Sequence, residues 1–491
     1  DPAILCGQPI GSVASQLGQL QALYQTASKA VGASSNPSFI GNTLAEGANI
    51  TGNNMFAPNY QTPRSVQMNF GFERQLGKGI VWNADYVRNV GTHSLLAIDV
   101  NHVGDVRFFN KAVAVNAIST TLTQCGVATV AAAANDCPGL HPSTPGNPGP
   151  HPAQIADFAA NGLTSGADLC SGGPCPQAAF AGANPNLGVN QMLFPAGRSV
   201  YNAFQTSLRA NVRNPFTGVR GLNWIVSYAL SRYLGAALDS DFINTATDNN
   251  HPTQSLGPNG LDRTHQFSFG GTVDLPGSFR FGSVGHIYSP LPLNLFLPGG
   301  GAGGIFISDV TGDGSGDGSS VYGPTGDLVP GTKLGAYGRK IKSNDLTGFI
   351  ANFNGTVAGT ATPAGQVLIQ NGLVTLAELQ KFGGVIQSLD APVAPVQSPG
   401  WLKTIDLSLA YPRKIGETFT IEPSATVFNA FNISNFDSSA KNSLNGFLNT
   451  GPGAVNDSTQ ADHNRFRTLP GTGVFNLGSP RVIEFGVKLK F

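Results

Sequence analysis

The sequence has no apolar run of about 18 residues, which excludes a helical membrane span. Charge is scarce: 11% of residues carry it, well below the quarter usual for soluble domains. Acidic and basic residues balance at 28 each, so no nucleic acid or other polyanion is expected as a partner. The opening stretch DPAILCGQPIGSV has no Met, basic region or apolar core and is not read as a signal peptide. The chain is expected to be mature or a piece of something longer. Gly-x-Ser-x-Gly, His-Glu-x-x-His and close carboxylate pairs are all missing, so hydrolytic chemistry has no support and no enzyme is expected.

What the sequence does have is glycine, 63 residues, and phenylalanine, 30, a balance that suits turns, polar loops and aromatic-rich strands better than two or three soluble domains. Period-two stretches carry that reading. In RSVQMNFGFERQL, Val66, Met68, Phe70 and Phe72 alternate with polar residues, and in GIVWNADYVRN, Ile80, Trp82, Ala84 and Tyr86 do the same. Further pairs follow: SVYNAFQTSLRANVR with LNWIVSYALS, THQFSFGGTVDL with FRFGSVGHIYS, and KTIDLSLAY with FTIEPSATVF. The strand FRFGSVGHIYS is less regular, and a bulge is expected near Gly282 to Gly285. The terminal PRVIEFGVKLKF makes nine.

The connections alternate between tight turns near residues 77, 216, 277 and 415 and long excursions over about 97–197, 236–261, 299–400 and 437–479. Short turns at one end and long loops at the other are the pattern of a transmembrane β-barrel, with short periplasmic turns and long extracellular loops. Charges obey the same logic. Glu73, Asp85, Arg209, Asp274, Asp406, Glu422, Glu484 and Lys488 all lie on the parity opposite the apolar residues, as a lipid-facing surface requires. Trp82, Tyr86, Trp224, Tyr228 and Tyr411 lie on the apolar parity, where interface girdles need amphipathic rings. The expected fold is therefore all-β: part of an antiparallel barrel of about nine to ten strands, with short helices in its outer loops. Residues 1–63 are expected to form a partly helical extracellular loop region, and 64–491 the barrel portion.

Taken in this order, RSVQMNFGFERQLGKGIVWNADYVRNVGTHSLL, GLDRTHQFSFGGTVDLP, IEPSATVFNAFNISNF and PRVIEFGVKLKF resemble the C-terminal part of TonB-dependent outer-membrane receptors, most closely the Oar-like group. The resemblance implies an energised importer of a bulky substrate, an N-terminal plug with a TonB-box segment, and about 22 strands. With about nine strands present, the chain reads as roughly the last two fifths of such a receptor, reaching the TonB complex through a part encoded upstream. The resemblance also makes Phe485, Val487, Leu489 and Phe491 the signal read by the barrel-assembly machinery. An adhesin or structural surface barrel predicts the same strands, and a passive porin is a third reading.

Several loop features invite site readings. In SDVTGDGSGDGSS, Asp309, Thr311, Asp313, Gly314, Ser315 and Asp317 match positions one, three, five, six, seven and nine of a calcium loop, while Ser320 replaces the bidentate Glu at position twelve. Calcium held by Asp309, Asp313 and Asp317 would stiffen an outer loop. Cys125 with Cys137 and Cys170 with Cys175 suit two local disulfides, against a rival zinc site for which CSGGPC has the wrong spacing. His141 and His151 lie in a Pro/Gly-rich stretch too irregular to fix a metal. Residues 22–32 and 374–387 have helical character, the second with a capping box from Thr375 to Glu378. Lumen-facing Asn69, Asn83, Gln205 and Asn223 are expected to line the path of an unidentified extracellular ligand.

Overall fold

The computed structural model describes Gln19 and residues 55–491, apart from 145, 167–176, 186–187, 237–243, 259–261, 318–324, 391–399, 417, 434 and 436–479. Nine strands form the wall: β1 (Arg64–Gly77), β2 (Ile80–Asp99), β3 (Gln191–Phe216), β4 (Val219–Gly235), β5 (His265–Asp274), β6 (Arg280–Tyr288), β7 (Leu402–Ala410), β8 (Phe419–Phe428) and β9 (Val482–Lys490). Each pairs antiparallel with the next in one sheet. Among the described residues β1 and β9 are its lateral edges.

The tight turns need backbone that ordinary side chains avoid. Gly79, beside β1, has φ 75°, and Gly218, between β3 and β4, has φ 88°. With both hairpins closed by so few residues, register is fixed and one face stays apolar along its whole length. On that face Phe70 faces Tyr86, which faces Phe204, which faces Leu230.

Register also gives the tilt. Ile80, the first residue of β2 after its turn, pairs in succession with Ala210, Trp224, Gly271, Ser283, Leu407 and Val427. Val427 lies eight residues beyond Phe419, where β8 leaves its own turn. A climb of ~3.3 Å per residue across gaps of ~4.8 Å makes the strands lean by roughly 40°, within the range of closed barrels.

Two expectations need correction. No bulge interrupts β6, whose register with β5 and β7 is continuous. The glycines there provide room instead: a Cβ on Gly285 would run into the ring of Phe269, and one on Gly282 into the hydroxyl of Ser408. Register shifts fall elsewhere: near the turns between Gln75 and Gly77 and between Arg213 and Phe216, and on the loop side of β2 between Thr92 and Ser94, where His93 has φ 61°, and between Ser94 and Leu96. Strands β2, β3 and β4 also outrun their apolar patterns, at 20, 26 and 17 residues, against the ~10 that cross a bilayer. Their excess lies on the loop side, where the outward parity turns polar and lipid no longer dictates alternation.

Two long connections, 100–190 and 289–401, fold together above the wall. One core joins Ile118, Phe158 and Phe180 of the first to Phe306, Leu368 and Phe382 of the second. Phe158 packs on Phe382 with ring centroids 4.8 Å apart. A second core surrounds Leu295, Tyr337, Leu346, Phe353 and Leu389. The helices are α1 (Lys111–Cys125), α2 (Val130–Ala133), α3 (Ile155–Ala160), α4 (Ser343–Thr356), α5 (Pro363–Gln370) and α6 (Leu376–Lys381). In α1, rich in Val, Ser and Thr, propensity is weak, so caps and packing hold it. Asn110 Oδ1 accepts from the amides of Ala112 and Val113, and Gly126 ends it at φ 74°. The helical stretch read over 374–387 shrinks to α6: the Thr375–Glu378 capping box opens it, and Gly383 at φ 69° stops any continuation. The stretch 22–32 and most of 1–63 lie outside the described residues.

Candidate functional site

The inner face of the wall is a ladder of polar side chains. Asn83 Oδ1 accepts from the Ser207 amide at 3.0 Å, Gln205 stands opposite Asp85, and Asn223 lies between Asn211 and Thr272. Asn69 faces Val87 across the first hairpin. Higher on the same parity, Ser268 Oγ lies 3.1 Å from His286 Nδ1 and 2.9 Å from the Tyr288 hydroxyl. Several charges on this face are matched across strands: Arg280 Nε to Asp274 at 2.7 Å and Lys490 Nζ to Glu422 at 2.7 Å. Such a surface presents hydrogen-bonding groups together with charges of both signs.

Carboxylates fasten the loops to this wall. Asp99, at the end of β2, accepts through Oδ1 from the amides of Asn101 and Asn190 and through Oδ2 from Val103. It thereby closes the entry and exit of the 100–190 connection on one side chain. Asp262 accepts from the Tyr233 amide at 2.7 Å and from Arg339 Nε at 2.6 Å, while Arg339 Nη2 donates to the carbonyls of Asp262 and Pro290. That pair ties the 289–401 connection to the one leaving β4. Periodicity singled out neither residue, because each acts at a single backbone junction.

Asp309, Asp313 and Asp317 are brought into a buried turn against Asp327. Asp309 accepts from the amides of Gly312 and Gly314, Asp313 from the amide and hydroxyl of Ser315, and Asp327 from the amides of Val310 and Thr311. Asp317 turns to the hydroxyl of Ser165 at 3.0 Å. Burial and then the charges of Asp327 and Asp313 push the Asp309 carboxyl well above its ordinary range. Burial, with Asp313 beside it, pushes Asp327 up to about 8. Among the described residues no group of three His, Cys, Asp or Glu side chains is placed to hold a metal ion. Ser320 lies outside them. Nearby, burial works against ionisation of Asp105, but donors from Arg107 and Asn250 outweigh it and hold the carboxyl below its usual range.

A groove of about 890 Å³ opens on the loop unit, lined by His141, Pro142, His151, Lys381, Phe382 and Gln387 among others. His141 Nε2 lies 2.8 Å from Asp157, and His151 Nε2 lies 3.0 Å from the Asn147 carbonyl, so the two rings are turned to separate partners. Cys125 and Cys137 are joined in a disulfide at the end of α1. Cys170 and Cys175 lie outside the described residues. At the other extreme of the chain, Phe485, Val487, Leu489 and Phe491 are all exposed on the apolar face, and the Phe491 ring meets Phe419 with centroids 5.4 Å apart.

A family model described as "Outer membrane beta barrel domain" matches residues 9–469. No curated protein matches the chain. Among solved structures, the outer membrane transporter YddB from Escherichia coli is similar at 9% identity and a TM-score of 0.37, over 89% of this chain and 34% of that one. The FpvAI-pyocin S2 complex aligns at 7% identity and 0.30, over 88% and 28%, and the copper transporter OprC at 9% and 0.28, over 88% and 32%. The chain thus spans about a third of the length of these structures.

Proposed function

Because the chain belongs to the family of outer membrane beta barrel domains, and so resides in the outer membrane, we propose that it forms wall and outer loops of a TonB-dependent receptor of the Oar-like kind. In this reading the loop unit captures a bulky oligosaccharide, peptide or metal chelate outside, and the polar inner wall gives it a path inward. The step is binding and passage, with no covalent chemistry. The observation that carries the proposal is the pairing of a packed loop unit, bearing a groove of about 890 Å³, with strands whose inner parity carries hydrogen-bonding side chains such as Asn83, Ser207, Ser268 and His286. An adhesin needs the first and has no use for the second. Energy would arrive from the TonB complex through a plug-bearing part of the receptor, and Phe485 to Phe491 would serve the barrel-assembly machinery. A calcium ion at Asp309, Asp313 and Asp317 would stiffen the loops once Asp317 leaves the Ser165 hydroxyl, because the three carboxylates are not now grouped to hold a metal.

The test is uptake. Cells with and without the protein are given fluorescent oligosaccharide, peptide and chelate libraries, and periplasmic and surface fractions are compared with and without a protonophore. Energy-dependent accumulation in the periplasm supports the receptor. Ligand that stays on the surface whatever the proton gradient sinks it and leaves adhesion.

A further inference from the structure

Two histidines of the 100–190 connection hang from one residue. The Cys137 amide donates to the His151 carbonyl at 2.7 Å, and the Cys137 carbonyl accepts from the His141 amide at 2.8 Å. Cys137 is bonded to Cys125 at the end of α1, so a covalent link fixes the point from which both rings reach the groove. Each ring then commits the same nitrogen. His141 Nε2 meets the Asp157 carboxylate and His151 Nε2 the Asn147 carbonyl, and because these oxygens only accept, the hydrogen sits on Nε2. Nδ1 is what each ring has left, without a hydrogen-bond partner among the described residues.

The 289–401 connection supplies the rest. Lys381, the last residue of α6, is exposed and gives Asn135 Oδ1 one hydrogen bond at 2.7 Å, which leaves its other donors to the groove. Beneath, the Ile155 amide donates to the Phe382 carbonyl at 2.8 Å and joins the two connections. A Cβ on Gly303 or Gly384 would crowd Ile155, so the floor is closely packed. Among the described residues that line the groove none is acidic, and its titratable groups are His141, His151 and Lys381. Its other polar side chains, Thr144, Asn147, Gln154 and Gln387, are neutral and exposed. Ile155 and Phe382 are only 5% and 3% exposed, so no apolar pocket opens between them.

We propose that this groove binds an acidic oligosaccharide, a short chain of uronic acid units. The proposal rests on the reading of the loop unit as the part that captures ligand, and is independent of how that ligand moves inward. Charge selects the anion: Lys381 offers a fixed positive charge, and nothing in the lining repels a carboxylate. Each Nδ1, on meeting a carboxylate, takes a proton from solvent and becomes a donor, and Asp157 behind His141 stabilises the imidazolium that forms. Sugar hydroxyls find donors and acceptors in the four neutral side chains, whereas the apolar side chains of a peptide find no pocket. At about 890 Å³ the groove lies near the top of the ~300–1,000 Å³ usual for small-ligand sites, which leaves room for several sugar units.

The test is calorimetric titration of the full-length protein in detergent with three probes: trigalacturonate, its methyl ester, in which the charges are gone, and triglutamate, which carries carboxylates on a peptide. Trigalacturonate should bind about tenfold tighter than the ester, the gain of charge-assisted over neutral hydrogen bonds, and tighter than triglutamate. Lys381→Gln should weaken the acid about threefold and leave the ester's affinity unchanged. His141→Gln with His151→Gln should narrow the gap between acid and ester, and Lys111→Gln, on α1 outside the groove, should change neither. Gel mobility and an intact Cys125–Cys137 disulfide check the fold; if the histidine pair does not fold, the exposed Lys381→Gln decides alone. Acid and ester bound alike, triglutamate bound as tightly as the sugar, or acid binding unchanged by Lys381→Gln overturns the proposal. Because binding is read without energy or a membrane, its failure leaves passage to the uptake experiment, and failed uptake leaves the binding result intact.

Discussion

Replacing Arg339 by alanine probes how the loop unit is held to the wall. The guanidinium lies 2.6 Å from the Asp262 carboxylate and donates to three carbonyls besides, those of Asp262, Pro290 and Gly338. The Asp262 side chain is only 2% exposed and that of Arg339 18%. Arg339→Ala would leave a buried carboxylate facing the Tyr233 amide, and removing one partner of a buried pair costs about 3 to 5 kcal/mol. Partial access of water to Arg339 favours the lower end. About 3 kcal/mol corresponds to more than a hundredfold rise in the opening equilibrium of the junction. Hydrogen exchange of the Tyr233 and His265 amides, read on the protein in detergent, is the assay, and gel mobility should show the wall intact. Because the stranded charge carries most of the cost, Arg339→Ala with Asp262→Asn should open less readily than Arg339→Ala alone. Exchange that rises less than threefold in the single variant, or a double variant worse than the single, would refute the reasoning.

Other perturbations follow from the same structure. Reducing the Cys125–Cys137 disulfide, which spans 12 residues, should cost about 3 kcal/mol by chain entropy, read as faster proteolysis around α1. Asp327 is held protonated in the fold, with its carboxyl near 8 instead of the ordinary value; its contribution is full below about pH 4 and is lost as pH rises through 8, at up to about 1.4 kcal/mol per unit. Amide protection at Val310 and Thr311, corrected for intrinsic exchange, should therefore fall between pH 5 and 8, and a flat profile contradicts the burial argument. Calcium should restore protection at pH 8, whereas no response to calcium or EDTA removes the ion from the proposed function. Gly285→Ala forces a methyl against Phe269 and should destabilise the wall by about 1 to 3 kcal/mol, seen as a lower unfolding temperature in detergent. Deleting Phe491 should lower the folded fraction in the outer membrane severalfold on heat-modifiable gels; undiminished assembly dismisses its role as a signal.

The wall could be read from the sequence because lipid imposes one rule on every other residue. Phe70, Phe204 and Phe485 follow it wherever they stand, and all four tight turns lie where the pattern breaks. The rule stops applying at the border of the hydrocarbon, which is why Arg88 and Thr92 look like the end of a strand that in fact runs to Asp99. The loop unit obeys no such rule. Its cores join Phe158 to Phe382 and Phe180 to Phe306, contacts between two connections far apart in sequence that local propensity does not register. Helix α1 mixes good formers such as Ala112, Ala114, Ala117 and Leu122 with Val, Ser and Thr, so its bounds rest on Asn110, Gly126 and the surface it packs against. The glycines of β6 misled for a related reason: a missing side chain marks either a bulge or a neighbour's ring, and only the register with Phe269 tells which.

One carboxylate at the foot of the first long connection has a consequence for how such proteins change over time. Since Asp99 gathers the amides at both ends, Asn101, Val103 and Asn190, the ninety or so residues between them begin and finish at the same point in space. Insertions or deletions within it leave the spacing of β2 and β3 untouched as long as the closure on Asp99 is kept. The connection returns to a fixed socket, so changes of its length need not disturb the register of the wall beneath, while its contacts with the second connection, Phe158 on Phe382 and Phe180 on Phe306, limit which residues can change.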